Sequence, residues 1–139
     1  MRYEQQCEGK VMATIALTKE NFEQTVLAGG TVLVDCWAEW CGPCRRFGPI
    51  FEEVSEDFTD VVFGKLDTES NQEIAAALNI SSIPTVMVFR DGIMVHRSSG
   101  VMDKRQLADL VTQAQALDMD QVRQQIEAQQ NPPEKTQRF

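Results

Sequence analysis

Four cysteines stand at positions 7, 36, 41 and 44 of this 139-residue chain, and only Cys41 and Cys44 share a motif spacing. Residues three apart on a helical turn bring their Cα atoms to about 5–6 Å, the range a disulfide accepts. The two sulfurs can therefore bond and part with little backbone movement. The pair follows a β-branched run and opens an apolar stripe of helical period, which matters more than the bare spacing. Cys41 then occupies the N-cap region, where backbone donors are unsatisfied and the helix dipole is positive. A thiolate there is stabilised, so its pKa falls toward neutrality and more of it is nucleophilic. Pro43 suits the first turn, where a missing N–H costs nothing. Cys44 lies one turn inward and is expected to be less exposed. The roles follow: Cys41 attacks a disulfide, and Cys44 resolves the mixed intermediate.

Other uses of these cysteines need more than the chain offers. A zinc site requires two further ligands; Cys7 and Cys36 lack paired spacing, and His96 is the sole histidine. A permanent structural disulfide is disfavoured in a reducing compartment.

The elements that must hold this pair can be read around it. Val11–Ala16 is a short apolar run suited to a strand. Thr18 is placed to cap a helix through Leu27, with Phe22, Val26 and Leu27 on one side and Gly29-Gly30 as the stop. Thr31–Trp37 is β-branched without clean alternation, as in strands buried on both faces of a partly parallel sheet. Asp35 is its anomaly. Phe47, Ile50, Phe51, Val54 and Phe58 give the helical stripe after Cys44, with a kink expected at Pro49. Val61–Leu66 is a third strand. Ser70 and Glu73 have the spacing of a capping box for a helix reaching Leu78. Thr85–Phe89 and Ile93–Arg97 are strands joined by the hairpin signal Arg90-Asp91-Gly92. Asp103 caps a last core helix, with Leu107, Leu110, Val111, Ala114 and Leu117 inward. The order β-α-β-α-β-α-β-β-α predicts an α/β domain with a mixed sheet. Past Leu117, Asp118 and Gln121 can cap a short helix carrying Met119, Val122 and Ile126, followed by a polar tail expected to be disordered. The expected division is a tail over 1–10, the domain over 11–117 and an extension over 118–139.

Composition narrows the function classes. The length suits one hydrophobic core. A formal net charge of −8 argues against nucleic acid and against anionic membranes as partners. No stretch approaches the roughly 20 apolar residues of a membrane span, and Met1–Lys10 has no apolar signal region, so a cytoplasmic location is expected.

The segment Val34–Cys44, VDCWAEWCGPC, resembles the thioredoxin active site with one unusual letter. Pro49, Lys65-Leu66-Asp67, Ile83-Pro84-Thr85 and Ser99-Gly100 are further matches in order, so the resemblance spans about Val11 to Leu117. It implies the thioredoxin fold, a mixed five-stranded sheet flanked by helices, here with an extra C-terminal helix. It implies that Asp35 is a buried acid beneath the cysteines, able to take the Cys44 proton, with Lys65 tuning its charge. It also implies a cis bond before Pro84, and an apolar docking surface of Trp40, Gly42, Pro43, Ile83, Pro84 and Gly100. Backbone groups of Ile83 would there pair with an extended substrate segment. Departures are Cys36, where relatives usually carry an aromatic, and Ser82, where a glycine is common. Cys36 is expected to be a buried small hydrophobe, Cys7 incidental and His96 a surface residue. Arg45-Arg46 adds positive charge that can lower the Cys41 pKa or steer acidic partners; its plainer reading is a solvated helix face.

The implied function is a monomeric protein-disulfide reductase with no bound cofactor beyond the redox-active Cys41-Cys44 pair. Its partners would be protein disulfide substrates and a flavin-containing thioredoxin reductase drawing on NADPH. The second reading is a binding or co-chaperone module using the apolar patch and the extension. Intact Cys41, Cys44, Asp35 and Pro84 count against it. A third, an oxidase or isomerase, is opposed by Gly42-Pro43, which resembles the reducing members.

Overall fold

The computed structural model describes residues 13–130, so Cys7 and the tail from 131 lie outside the described residues. Its elements are β1 (Thr14–Leu17), α1 (Phe22–Leu27), β2 (Thr31–Trp37), α2 (Gly42–Ser55), β3 (Val62–Asp67), α3 (Gln72–Ala77), β4 (Thr85–Arg90), β5 (Ile93–Ser99), α4 (Lys104–Gln115) and α5 (Met119–Gln130). The five strands form one sheet in the order β1-β3-β2-β4-β5. β3 runs parallel to both β1 and β2, while β4 is antiparallel to β2 and β5. The sheet is mixed, as expected, and β2 is its central strand.

That position explains the β2 sequence. Alternate residues of a strand face opposite sides, and both sides of β2 are covered. Leu33 packs with Phe47, Phe51, Leu107 and Val111 of α2 and α4. Val32, Val34 and Cys36 pack on the other side with Phe22 and Val26 of α1 and with Ile74 of α3. Burial on both faces removes any reason for polar residues to alternate with apolar ones. On β3, Gly64 leaves room for the Leu17 side chain of β1: a Cβ at that position would lie 2.5 Å from Leu17 Cδ1.

Several local expectations change. Helix α1 begins at Phe22, not after Thr18: the Thr18 hydroxyl accepts the Glu20 N–H, and Asn21 Oδ1 accepts the Thr18 N–H at 2.7 Å, closing a local turn first. Leu27 faces solvent, where the helix ends at Gly29 and Gly30, both with positive φ. The Ser70–Glu73 capping box does not form. Asp67 takes the Ser70 hydroxyl and two backbone N–H groups, while Glu73 pairs with Lys19 at 2.8 Å. The first strand is Thr14–Leu17, β3 ends at Asp67, and Phe58 lies beyond the end of α2. Leu117 is beyond α4 and exposed.

The opposite end of the sheet is tied together by Asp91. In the β4–β5 turn, Asp91 and Gly92 take positive φ. Asp91 Oδ1 accepts the Gly30 N–H at 3.0 Å, and its Oδ2 pairs with Arg123 of α5 at 3.3 Å. Asp103 and Gln106 form a reciprocal capping box on α4. Asp118 accepts the N–H groups of Asp120 and Gln121, starting α5 and burying Met119. The extension thus continues in a helix joined to the domain.

Candidate active site

Strand β2 ends at Trp37 and α2 begins at Gly42, so the chain turns over the carboxyl end of the central strand. Cys41 is the N-cap of α2, and the Cys44 N–H donates to its sulfur at 3.2 Å, with Pro43 in the first turn. A backbone donor and a helix N-terminus aimed at one sulfur stabilise negative charge on it. Cys41 and Cys44 are joined as a disulfide with Cα atoms 5.3 Å apart. Burial does not distinguish them: both are 4% exposed, so the expected gradient from Cys41 to Cys44 is absent in this oxidised form. What separates them is direction. Cys41 Sγ lies 3.8 Å from Ile83 O, at the loop facing the pair.

That loop is built by the Ile83-Pro84 peptide, which is cis. Pro84 is buried, Ile83 packs against Cys41 and Cys44, and Gly100 donates its N–H to Pro84 O at 2.9 Å. Ser82 bonds Ser99 hydroxyl to hydroxyl at 2.9 Å, and Thr85 reaches the same Ser99 oxygen at 3.0 Å. Trp40 is 66% exposed and its indole N–H donates to Glu69 at 3.1 Å. Gly42 and Pro43 lie beside it at the helix start, with Pro43 exposed and Gly42 half-buried. Arg45 and Arg46 are exposed, and Arg45 lines a surface pocket together with Trp40 and Glu69. His96 is half-buried, within 3.0 Å of the Ser98 hydroxyl.

Asp35 shares its face of β2 with Leu33, the face covered by α2. It is 1% exposed, and neither carboxylate oxygen has a hydrogen-bond partner among the described residues. Burial pushes its carboxyl up to about 7; Lys65 opposes that shift and Glu52 adds to it. Lys65 is the registered partner of Asp35 on β3. Its ammonium sits 5.3 Å over the Trp37 ring and 3.9 Å from Glu52 Oε2. Cys36, next to Asp35 but on the opposite face, is fully buried; burial first and the Asp35 charge second push its thiol up to about 12. It is the small buried hydrophobe expected.

Two residues of this site escape sequence reasoning, Trp37 and Glu52. The available signal was the four-residue spacing of Cys44, Gly48 and Glu52, which puts all three on one stripe of α2. No group of three or more metal-ligating side chains occurs among the described residues, and no described helix is long and apolar enough to cross a membrane.

Comparisons with known proteins agree with this geometry. The Thioredoxin family model matches residues 13–113. A relative from Streptomyces coelicolor is 50% identical over 118 residues, 85% of this chain and 88% of its own. Thioredoxin of Mycobacterium tuberculosis is 43% identical over 105 residues, 71% of this chain and 90% of its own. Among solved structures, a mutant thioredoxin from Halobacterium salinarum superposes with a TM-score of 0.69 at 29% identity, covering 79% of this chain and 99% of that one. The paired cysteines and these relatives support redox chemistry and do not favour a binding module. The chain belongs to the thioredoxin family, and it is a dithiol–disulfide oxidoreductase.

Proposed function

We propose that this chain is a general protein-disulfide reductase of the cytoplasm, acting as a monomer on many partners. The observation that carries the reading is the Cys41–Cys44 pair at the start of α2, one sulfur N-capping the helix and facing the cis Ile83-Pro84 loop. In the reduced protein, Cys41 thiolate attacks one sulfur of a substrate disulfide. A Cys41–substrate bond forms, the substrate S–S bond breaks, and the first substrate thiolate leaves. Cys44 then gives its proton to the Asp35 carboxylate and attacks Cys41 Sγ. The mixed disulfide breaks, Cys41–Cys44 closes, and the second substrate thiolate departs with the electron pair. Two electrons pass from the dithiol to the substrate. Asp35 returns its proton to water before the next cycle.

Asp35 suits the acceptor role because a carboxyl held near 7 exchanges protons with little driving-force mismatch at neutral pH. Trp40, Gly42, Pro43, Ile83, Pro84 and Gly100 form the docking surface, with the Ile83 backbone pairing to an extended segment of the substrate. Recharging falls to a flavin-containing thioredoxin reductase that draws on NADPH. Gly42-Pro43 between the cysteines supports a reducing, cytoplasmic role. Residues 11–117 form the catalytic unit, and 118–139 an addition to it. Insulin disulfide reduction tests the reading, driven by NADPH with thioredoxin reductase and, in parallel, by dithiothreitol. The expected result is rapid catalysis by the wild type that Cys41→Ser abolishes. A wild-type rate at background in both formats would overturn it.

A further inference from the structure

A stripe of α2 runs Cys44, Gly48, Glu52, one residue every four. Gly48 leaves the stripe bare at its middle, and a Cβ there would stand 3.5 Å from the Lys65 ammonium. One turn on, Glu52 Oε2 lies 3.9 Å from that ammonium and accepts the Thr14 hydroxyl of β1 at 3.1 Å. A groove of about 530 Å³ opens here, lined by Thr14, Ala16, Trp37, Glu52 and Lys65 among others. Lys65 and Glu52 are each about one-quarter exposed, whereas Asp35 is sealed. The Lys65 ammonium thus acts on two carboxylates, the buried Asp35 by its charge alone and the partly exposed Glu52 at 3.9 Å.

We propose that Glu52 is a positioning residue for proton transfer at Cys44: anchored by Thr14, it holds the Lys65 ammonium toward the groove and away from full pairing with Asp35. The inference rests on Asp35 taking the Cys44 proton. Full pairing would fix Asp35 as a carboxylate, a weak base that captures a proton poorly. Burial is the main cause that raises the Asp35 carboxyl, and an ammonium shared with Glu52 offsets less of that rise than full pairing would. The groove reaches Lys65 and Glu52, the side by which the proton would pass to water. The charged or titratable groups around Asp35 are Lys65 of β3, Glu52 and the Cys41–Cys44 pair of α2, and the Cys36 thiol on its own strand; β4 offers Val86 opposite. The electron count is unchanged: Cys44 loses a proton to Asp35, its sulfur attacks Cys41, and the proton leaves by the Lys65–Glu52 side.

The test is the pH titration of Asp35, followed by carboxyl ¹³C NMR of the oxidised protein, in wild type and in Glu52→Gln. The freed ammonium is expected to lower that titration by about half a pH unit or more. Lys65→Met is expected to raise it, and in the Lys65→Met background Glu52→Gln should shift it by clearly less than in the wild type. Loss of packing alone moves no titration in this signed pattern. An unmoved titration in Glu52→Gln overturns the inference, as does an equal shift in both backgrounds, which would make Glu52 a bare charge rather than a positioner. The underlying reading has its own control. Asp35→Asn should change the pH profile of insulin reduction; if it does not, the acceptor role fails, whatever Glu52 does.

Discussion

Asp35 and Cys36 are neighbours on the central strand and almost equally buried, yet the two faces of the sheet put them to opposite uses. On the α2–α4 face, Asp35 meets Lys65 and Glu52 beneath the helix that carries the cysteine pair. On the α1–α3 face, Cys36 packs with Val34, Leu66 and Met87, and the charges that act on it, Asp35 raising and Arg97 lowering, leave the effect of burial dominant. Burial raises both pKa values, but only one comes to rest near neutral pH. Desolvation alone silences a group. Desolvation together with a nearby counter-charge leaves it usable.

The contrast is broken most severely at the sulfurs. Cys41→Ser should lower insulin reduction by at least about a thousand-fold, since among the described residues no other cysteine caps a helix N-terminus. Cys36→Ala should leave that rate within about a factor of two, because its sulfur is sealed and held protonated. Equal losses in the two variants would erase the distinction between the faces.

Asp35 should next reveal itself through stability. Its folded pKa, about 7, exceeds the unfolded value near 3.8, so the native state binds the proton more tightly. The stability it contributes is fully present below about pH 4 and is lost as pH rises through 7. The loss is on the order of 4 kcal/mol. Urea denaturation of wild type and Asp35→Asn should therefore show the variant gaining on the wild type between pH 4 and 8. A pH-independent difference would mean that Asp35 titrates alike folded and unfolded.

The apolar face is tested by Gly64→Ala, whose new methyl meets the Leu17 side chain; a cost of about 1–3 kcal/mol is expected in urea melts. The smallest effect concerns the extension. Asp118→Ala removes the acceptor at the start of α5 and should cost about 1 kcal/mol, with insulin reduction unchanged.

Legibility followed the range of the interactions. Strand β2 could be read to the residue, because Gly29-Gly30 punctuates a β-branched run that needs no partner to announce itself. The cysteine pair was legible because three-residue spacing at a helix start is a local fact. Where two local options competed, the reading failed. Thr18 and Asn21 closed a turn before α1, and Asp67 claimed Ser70 before α3 could be capped by it. The cis bond before Pro84 came from family resemblance, since composition carries no such signal. For Glu52 only the spacing from Cys44 and Gly48 was legible; its meaning depends on α2 crossing β3 at Lys65 and β1 at Thr14, contacts set by packing between segments distant in sequence.

The central claim is that Cys41 attacks and Cys44 resolves, and the most direct measurement is capture of the intermediate. Reduced Cys44→Ser, presented with a disulfide peptide, should accumulate a covalent adduct that mass spectrometry maps to Cys41, while reduced Cys41→Ser should accumulate none. An adduct at Cys44 in Cys41→Ser that forms as fast, or labelling at Cys36 instead, would contradict the account.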